Sequence, residues 1–369
     1  MNVSDTKQHR ICIVSEQLAG GGAERCSAVL SQFLVAKGCS VNHVIVIDKV
    51  EYKYAGALLN LGKLKKEHFN FGDRIKRFKV LYSFFKENKF DFIIDTRVRN
   101  RQWQEYFITK FIYNAPLIVV VHSYMTNLYF PKMHFLAKHI FSKSYKIIAV
   151  SDTIKEKIKH KYYYNQVETI YNPIDFSFIE EKSKASIATE GNYILAVGRM
   201  NTDVKQFDVL IECYANSSLP QNDIKLIILG DGMYLNDLKQ LSKSLNIDDK
   251  VLFEGKKENP FPYYKNALFT VLSSRNEGFP NVLLESLFCE TPVISFDCLS
   301  GPSEIISNRE NGLLVENQNK EKLTQAMNEL FFDKNLYYHC KKNTKQSVKR
   351  FSLETIGNEW LELMKIKQK

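Results

Sequence analysis

Short apolar runs and amphipathic segments alternate twice over along this chain, and that alternation limits its possible folds more than any other feature. In the first half, segments 11–16, 41–48, 90–96, 117–122 and 146–151 are β-branched, apolar and of strand length. Segments 23–37, 73–88, 132–141 and 153–159 between them carry apolar residues at helical spacing. The second half repeats the grammar, with strands expected at 193–198, 225–230, 251–255, 269–274, 292–297 and 312–315. Its helices are expected at 207–215, 234–245, 282–289 and 320–331. Parallel neighbours need a crossover, and a helix supplies it. The expected fold is therefore α/β, with two doubly wound, Rossmann-like domains facing across a cleft. The polar stretch 180–192 reads as the linker, which divides the chain into 1–179 and 180–352. A helical segment over 353–367 is left to pack on either domain.

Open α/β sheets take their ligands at the carboxyl ends of their strands, so the residues there carry the chemistry. The sharpest candidate is a pair of glutamates, Glu277 and Glu285, that brackets Gly278, Phe279, Pro280 and Asn281. Glu277 falls in a strand-to-helix loop and Glu285 about one turn into the helix that Asn281 and Val282 open. That helix N-terminus suits a phosphate. Two carboxylates beside a phosphate seat make sense as acceptors for sugar hydroxyls. Gly198 and Arg199 end another strand, with Lys205 six residues after the arginine. Such cations can hold a diphosphate, Arg by its fork and Lys as a point charge. Gly230-Asp231-Gly232 and Ser300-Gly301-Pro302-Ser303-Glu304 form two further loops at strand ends. In the first half Gly20-Gly21-Gly22 opens a helix where backbone can approach an anion. Arg25 stands where a dinucleotide fingerprint needs a small residue, so that reading is excluded. His122 closes a strand and is expected to face the cleft.

Net charge is +10, unevenly spread. Residues 1–177 hold 27 Lys and Arg against 15 Asp and Glu, a net of +12. A basic half suggests an anionic partner. The segment 73–88 sets Ile75, Phe78, Leu81, Tyr82 and Phe85 on one face, with Arg74, Lys76, Arg77 and Lys79 around them. Joined by Lys63, Lys65, Lys66, Arg97, Arg99 and Arg101, it could dock on an anionic membrane. The seven cysteines are scattered with no C-x-x-C pair, as expected of buried thiols in a reducing cytoplasm. The polar start carries no signal-peptide pattern, and no apolar run is long enough to span a bilayer. No metal-ligand spacing is present, so neither metal nor cofactor is expected. The cations are not interleaved with a nucleic-acid-binding motif, so no nucleic acid is expected either.

Taken together, these stretches resemble the retaining glycosyltransferases of GT-B fold, family 4. The strongest part is Glu277-Gly278-Phe279-Pro280-Asn281-Val282-Leu283-Leu284-Glu285, similar to the family's Glu-x7-Glu motif. Val197-Gly198-Arg199 with Lys205 is similar to its diphosphate-holding pair, and Gly21-Gly22-Ala23-Glu24 to its glycine loop. Asn172-Pro173-Ile174-Asp175 is similar to its junction segment. The resemblance implies that Arg199 and Lys205 stabilise the leaving nucleotide diphosphate without a metal, helped by backbone N–H groups near Asn281 and Val282. It implies that Glu285 holds the ribose, Glu277 orients the sugar and His122 touches it. Gly278, Phe279, Gly230 and Gly198 would complete the nucleotide-sugar seat, and Gly21 and Gly22 would line the acceptor side. It also implies that the final helix, 353–369, crosses back to the first domain. The family often has Gly after the lysine, where this chain has Gln206, and many members have Asp or Gly after the histidine, where it has Ser123. The implied activity is transfer of a hexose or N-acetylhexosamine from a UDP-sugar to a sugar acceptor, such as a polyprenyl-diphosphate-linked one. The implied setting is surface-polysaccharide (lipopolysaccharide or capsule) or glycan assembly, at the inner face of the cytoplasmic membrane. A GDP-mannose-dependent mannosyltransferase is the alternative within the fold. A basic nucleic-acid or membrane binding protein is the alternative outside it.

Overall fold

The structure is a computed structural model and describes residues 8–65, 71–99, 101–131, 133–187 and 191–367. The chain divides into two compact units, Met1–Pro173 with Leu353–Lys369, and Ile174–Ser352. The first holds strands β1 (Arg10–Ser15), β2 (Ser40–Ile45), β3 (Ala57–Asn60), β4 (Phe92–Asp95), β5 (Leu117–Val121), β6 (Lys146–Ala149) and β7 (Val167–Thr169). Their order is β3-β2-β1-β4-β5-β6-β7, all parallel. Helices α1 (Gly22–Ala36), α2 (Phe71–Glu87), α3 (Gln102–Phe107), α4 (His134–Phe141) and α5 (Asp152–Tyr162) link them.

The second unit holds β8 (Tyr193–Val197), β9 (Lys225–Leu229), β10 (Val251–Gly255), β11 (Thr270–Leu272), β12 (Val293–Phe296) and β13 (Gly312–Val315). Their order is β10-β9-β8-β11-β12-β13, again parallel throughout. The helices are α6 (Phe176–Lys182), α7 (Phe207–Ala215), α8 (Leu235–Ser244), α9 (Phe261–Asn266), α10 (Asn281–Phe288), α11 (Pro302–Ile305), α12 (Lys320–Phe332) and α13 (Lys334–Ser347). The last helix, α14 (Leu353–Leu363), belongs to the first unit. There Gly357 lets it close on α1, where a Cβ would stand 2.5 Å from Phe33 Cε1. Lys37 pairs with Glu354 at 2.8 Å, and Tyr145 donates to the Leu363 carbonyl.

Parallel strands buried on both faces read as continuous apolar runs, and β5 and β12 are buried along their whole length. The expected helices and strands are present with ends shifted by a few residues. The short elements β3, β7, α3, α6 and α9 escaped the reading, as did the polar 14-residue α13. The unit boundary falls between Pro173 and Ile174 rather than at residue 180. The reason is α6, whose polar surface looks like linker while its buried side anchors it to the second unit. Asp175 caps the helix by accepting from the Phe178 amide, and the Phe176 ring stacks on Phe288 at 4.2 Å.

His43 lies fully buried in β2 with its ring edge-on to Tyr54 at 5.2 Å. Burial pushes its pKa down to about 4, so an unfolded chain takes up a proton there that the folded chain refuses. The stability contributed by the neutral ring is complete above pH 6.5 and is lost as pH falls toward 4. Between pH 6.5 and 5 the loss should be about 2 kcal/mol. Thermal unfolding of the native protein should therefore steepen in its pH dependence over this window relative to His43→Leu. Parallel profiles for the two would show that His43 does not titrate this way.

Candidate active site

Strand order reverses between β8 and β11 in the second unit, and such switch points are where open sheets hold ligands. The loops leaving these two strands carry Arg199, Lys205 and Glu277. They are bound to each other: the Arg275 amide donates to the Val204 carbonyl at 2.8 Å, and Arg275 pairs with Asp203 at 2.6 Å. Ser273 Oγ donates to the carbonyls of Lys205 and Gln206. Lys205 Nζ then meets Glu277 Oε1 at 2.6 Å, with 22% and 13% of the two side chains exposed. Gly198 makes room for the lysine stem, since a Cβ there would crowd Lys205 Cγ at 3.2 Å. Arg199 stands exposed at the end of β8.

The Gly-Asp-Gly loop after β9 proves to be a contact point rather than an ordinary turn. Gly230 has φ +144°, and a Cβ there would lie 1.8 Å from the Gly198 carbonyl oxygen. The glycine is what lets this loop cross the one carrying Arg199. The Glu277 loop is stitched in the same way to the loop after β12. The Glu277 amide donates to Leu299 O, Ser300 Oγ donates to the Gly278 carbonyl at 2.7 Å, and Gly301 lies against Pro280. Phe279 is buried against Phe351 with ring centres 5.2 Å apart, so it anchors the loop from behind. Asn281 opens α10 after Pro280, which offers no side-chain acceptor, and Val282 follows it. Glu285 is buried one turn along, where its Oε2 accepts from the Tyr264 hydroxyl at 3.1 Å. Tyr264 escaped the sequence reading, because an aromatic in a short helix looks like core.

Gln206, the departure from the family pattern, has φ +48° and ψ +47°. Glycine suits this left-handed conformation, and glutamine is strained in it. Gln318, at φ +63°, holds it by two reciprocal amide bonds of 2.9 and 2.8 Å. Neither residue was singled out in the sequence as a partner of the other, and their separation in the chain leaves no local signal.

The first unit reverses strand order between β1 and β4. Gly21 and Gly22 follow β1, with Glu24 folded back so that a Cβ on Gly21 would stand 2.3 Å from its carboxylate. After β4, the Asp95 carboxylate accepts from Arg97 at 2.7 Å and the Tyr113 hydroxyl at 2.8 Å and pairs with Arg99 at 3.2 Å, and Glu105 accepts from Arg97 at 3.0 Å. This corrects the expectation for Arg97 and Arg99. Both are buried, at 5% and 2% exposed, and neither offers charge to a membrane. Burial would push the Asp95 carboxyl up, but Arg97 and Arg99 outweigh it and hold the group well below the usual range. Glu105, where burial dominates, is raised. Lys66 lies outside the described residues. His122 also differs from expectation, because both ring nitrogens are sealed from solvent. Burial, then the nearby Arg99 charge, bring its pKa down to about 4 against a weaker pull from Asn172, so it is neutral at physiological pH.

Residues 20–178 match the sequence profile described as Glycosyltransferase Family 4, and residues 177–347 match Glycosyl transferases group 1. The chain belongs to the GT-B glycosyltransferases of this family type. Over 360 residues it is 29% identical to a Campylobacter jejuni protein, N-acetylgalactosamine-N,N'-diacetylbacillosaminyl-diphospho-undecaprenol 4-alpha-N-acetylgalactosaminyltransferase, with 94% of this chain and 97% of that one covered. A second C. jejuni protein, an alpha-1,4-N-acetyl-D-galactosaminyltransferase named for a diNAcBac-PP-undecaprenol glycan, is 28% identical, with 96% and 98% covered. In fold, the chain is similar to Anabaena Alr3699/HepE, solved in complex with UDP and glucose, with a TM-score of 0.78 at 19% identity and 97% and 100% of the chains covered.

Gln206→Gly should exchange left-handed strain of about 1 kcal/mol for two lost hydrogen bonds, leaving stability within about 1 kcal/mol of native. Gln206→Ala keeps the strain and loses the bonds, and should cost about 2 kcal/mol. Urea unfolding of the two variants checks this, and equal losses would show that residue 206 carries no left-handed strain for the amide pair to offset.

Proposed function

We propose that this chain is a retaining glycosyltransferase that moves a hexose or N-acetylhexosamine, the latter favoured, from a UDP-sugar to a polyprenyl-diphosphate-linked sugar acceptor. The Lys205–Glu277 pair at the switch point of the second sheet, one loop away from buried Glu285, carries this reading. On donor binding, Lys205 and Arg199 take the diphosphate and Glu277 turns to the sugar hydroxyls. Charge accumulates on the diphosphate as the glycosidic bond breaks, and fixed cations with the N-terminal amides of α10 stabilise it without reorganising. These groups take the place that a metal would hold, and no cofactor is required. Glu285, held by Tyr264, accepts from the ribose hydroxyls. Gly278, Gly230 and Gly198 keep backbone close to the nucleotide.

In this reading the acceptor hydroxyl attacks the face that the diphosphate leaves. The new carbon–oxygen bond forms as the old one breaks, and the hydroxyl proton passes to a departing phosphate oxygen. Gly21 and Gly22 line the acceptor side. The acceptor class is supported by the two Campylobacter relatives, whose names carry an undecaprenol-linked diphosphate sugar. Among the described residues no helix is long and apolar enough to cross a membrane. A lipid-linked acceptor then calls for peripheral attachment at the inner membrane face, in surface-polysaccharide or glycan assembly.

UDP at 100 times its dissociation constant should stabilise the native protein by about 2.7 kcal/mol in metal-free buffer. GDP should do far less, and Glu285→Gln should lose most of the UDP effect. Lys205→Met should lower kcat by about two to three orders of magnitude with little change in fold. A preference for GDP would move the donor to a mannose-type sugar. No response to either nucleotide would sink the transferase reading.

A further inference from the structure

Much of the positive excess in the first unit lies beside an aromatic surface that runs from the α2 face read in the sequence onto α3 and α4, which the sequence reading did not single out. Between Thr96 and Ser151 the chain has eight Lys and Arg and a single carboxylate, Glu105, which is buried on Arg97. On α2 the carboxylate of Asp73 is buried too, and Glu87 sits at the helix's far end. Lysines and arginines therefore dominate the outer faces of these elements: Lys76 and Lys79 on α2, Arg101 before α3 and Lys138 on α4 are all exposed.

Among them the rings form a connected series. Phe78 meets Phe107 at 5.8 Å, Phe107 meets Phe111 at 5.3 Å, and Phe111 meets Tyr106 at 6.3 Å. Tyr106 in turn meets Trp103 and stacks on His139, which stacks on Phe135. These are surface groups, with Phe135 81% exposed, Trp103 73%, Phe111 60% and Phe107 48%. Ile75 and Tyr82 extend the patch along α2 and, with Phe78, Lys79 and Phe107, line an open groove. A π-helical turn, Ile108–Ile112, continues α3. Phe107 and Phe111, four residues apart, share one face across this junction. A water-soluble monomer rarely exposes so large an apolar patch without a partner.

We propose that this surface, carried by α2, α3 with its π turn, and α4, docks on an anionic lipid bilayer. Trp103, Phe111 and Phe135 enter the interfacial layer, and the surrounding lysines and arginines meet the lipid phosphates. Trp103 suits that layer, with its ring inward and its indole N–H in water, Phe111 and Phe135 add apolar area, and long basic side chains reach past them to the headgroups. The arrangement matches an interfacial amphipathic surface in both apolar area and charge sign. A nucleic-acid backbone would match the charge sign but not the apolar area. This deepens the reading of a lipid-linked acceptor and rests on it for the leaflet concerned.

The chain has two tryptophans, and Trp360 is buried, so fluorescence reports mainly on Trp103. Adding phosphatidylcholine vesicles that contain phosphatidylglycerol to the full chain should shift emission to the blue, and raised salt should weaken the effect. Phosphatidylcholine alone should do little. In flotation with the same vesicles, Trp103→Ser/Phe111→Ser/Phe135→Ser should bind about tenfold more weakly while keeping its UDP stabilisation. Flotation of the triple variant equal to that of the native protein would overturn the proposal. So would native flotation with unchanged emission, or self-association with no vesicle binding. UDP stabilisation and vesicle binding are separate readings, so loss of one leaves the other hypothesis standing.

Discussion

Every strand pair in the two sheets is parallel, so each strand is followed by a crossover and the turns leaving the carboxyl ends collect on one edge. Where strand order reverses, the loops on the two sides diverge and leave a crevice. In the second unit this edge is crowded, and the chain passes it only by using glycine at the crossings. Gly230 against the Gly198 carbonyl is the tightest of these contacts. The glycines set the spacing of the loops, and the loops set where Arg199, Lys205 and Glu277 stand.

The two units handle charge differently. Asp95, Arg97 and Glu105 form a closed, buried group in the first unit, joined by half-buried Tyr113, each bonded to another. Removing one member would strand a charge in a low-dielectric interior, which makes such a group a structural fixture. Lys205 and Glu277 remain in reach of solvent. An ion pair held there can be exchanged for a phosphate on one side and hydroxyls on the other with little desolvation cost. Burial thus separates a charge cluster closed to solvent from one that solvent reaches.

The alternation of strands and helices, and with it both sheets, was legible because parallel strands need unbroken apolar runs and their helices need an apolar stripe. The Glu277–Glu285 stretch was legible because its loop and helix are contiguous in sequence. Arg97 and Arg99 were misread as surface cations because their partners, Asp95 and Glu105, have no spacing that marks burial. The Gln206–Gln318 pair joins residues far apart in the chain, so no local pattern announces it. The exposed rings of Trp103, Phe107 and Phe111 were invisible for a related reason. Periodicity shows that aromatics share a face, but not whether anything covers it.

The two glycine-associated helix starts show why the same fold can present an anion seat in one unit and fill it in the other. At α1 the Glu24 carboxylate lies over Gly21, close to the amides that a phosphate would need. Any anion arriving there must displace a like charge already attached to the chain. At α10 the residue before the helix is Pro280, which carries no acceptor, and Lys205 stands on Glu277 in the loop leading to it. Glu277 neutralises that lysine here, so the cation adds to the helix dipole only where a ligand takes the place of Glu277. On electrostatic grounds the start of α10 opposes an anion less than the start of α1 does. The first unit is better suited to uncharged sugar hydroxyls, which a carboxylate such as Glu24 accepts rather than repels.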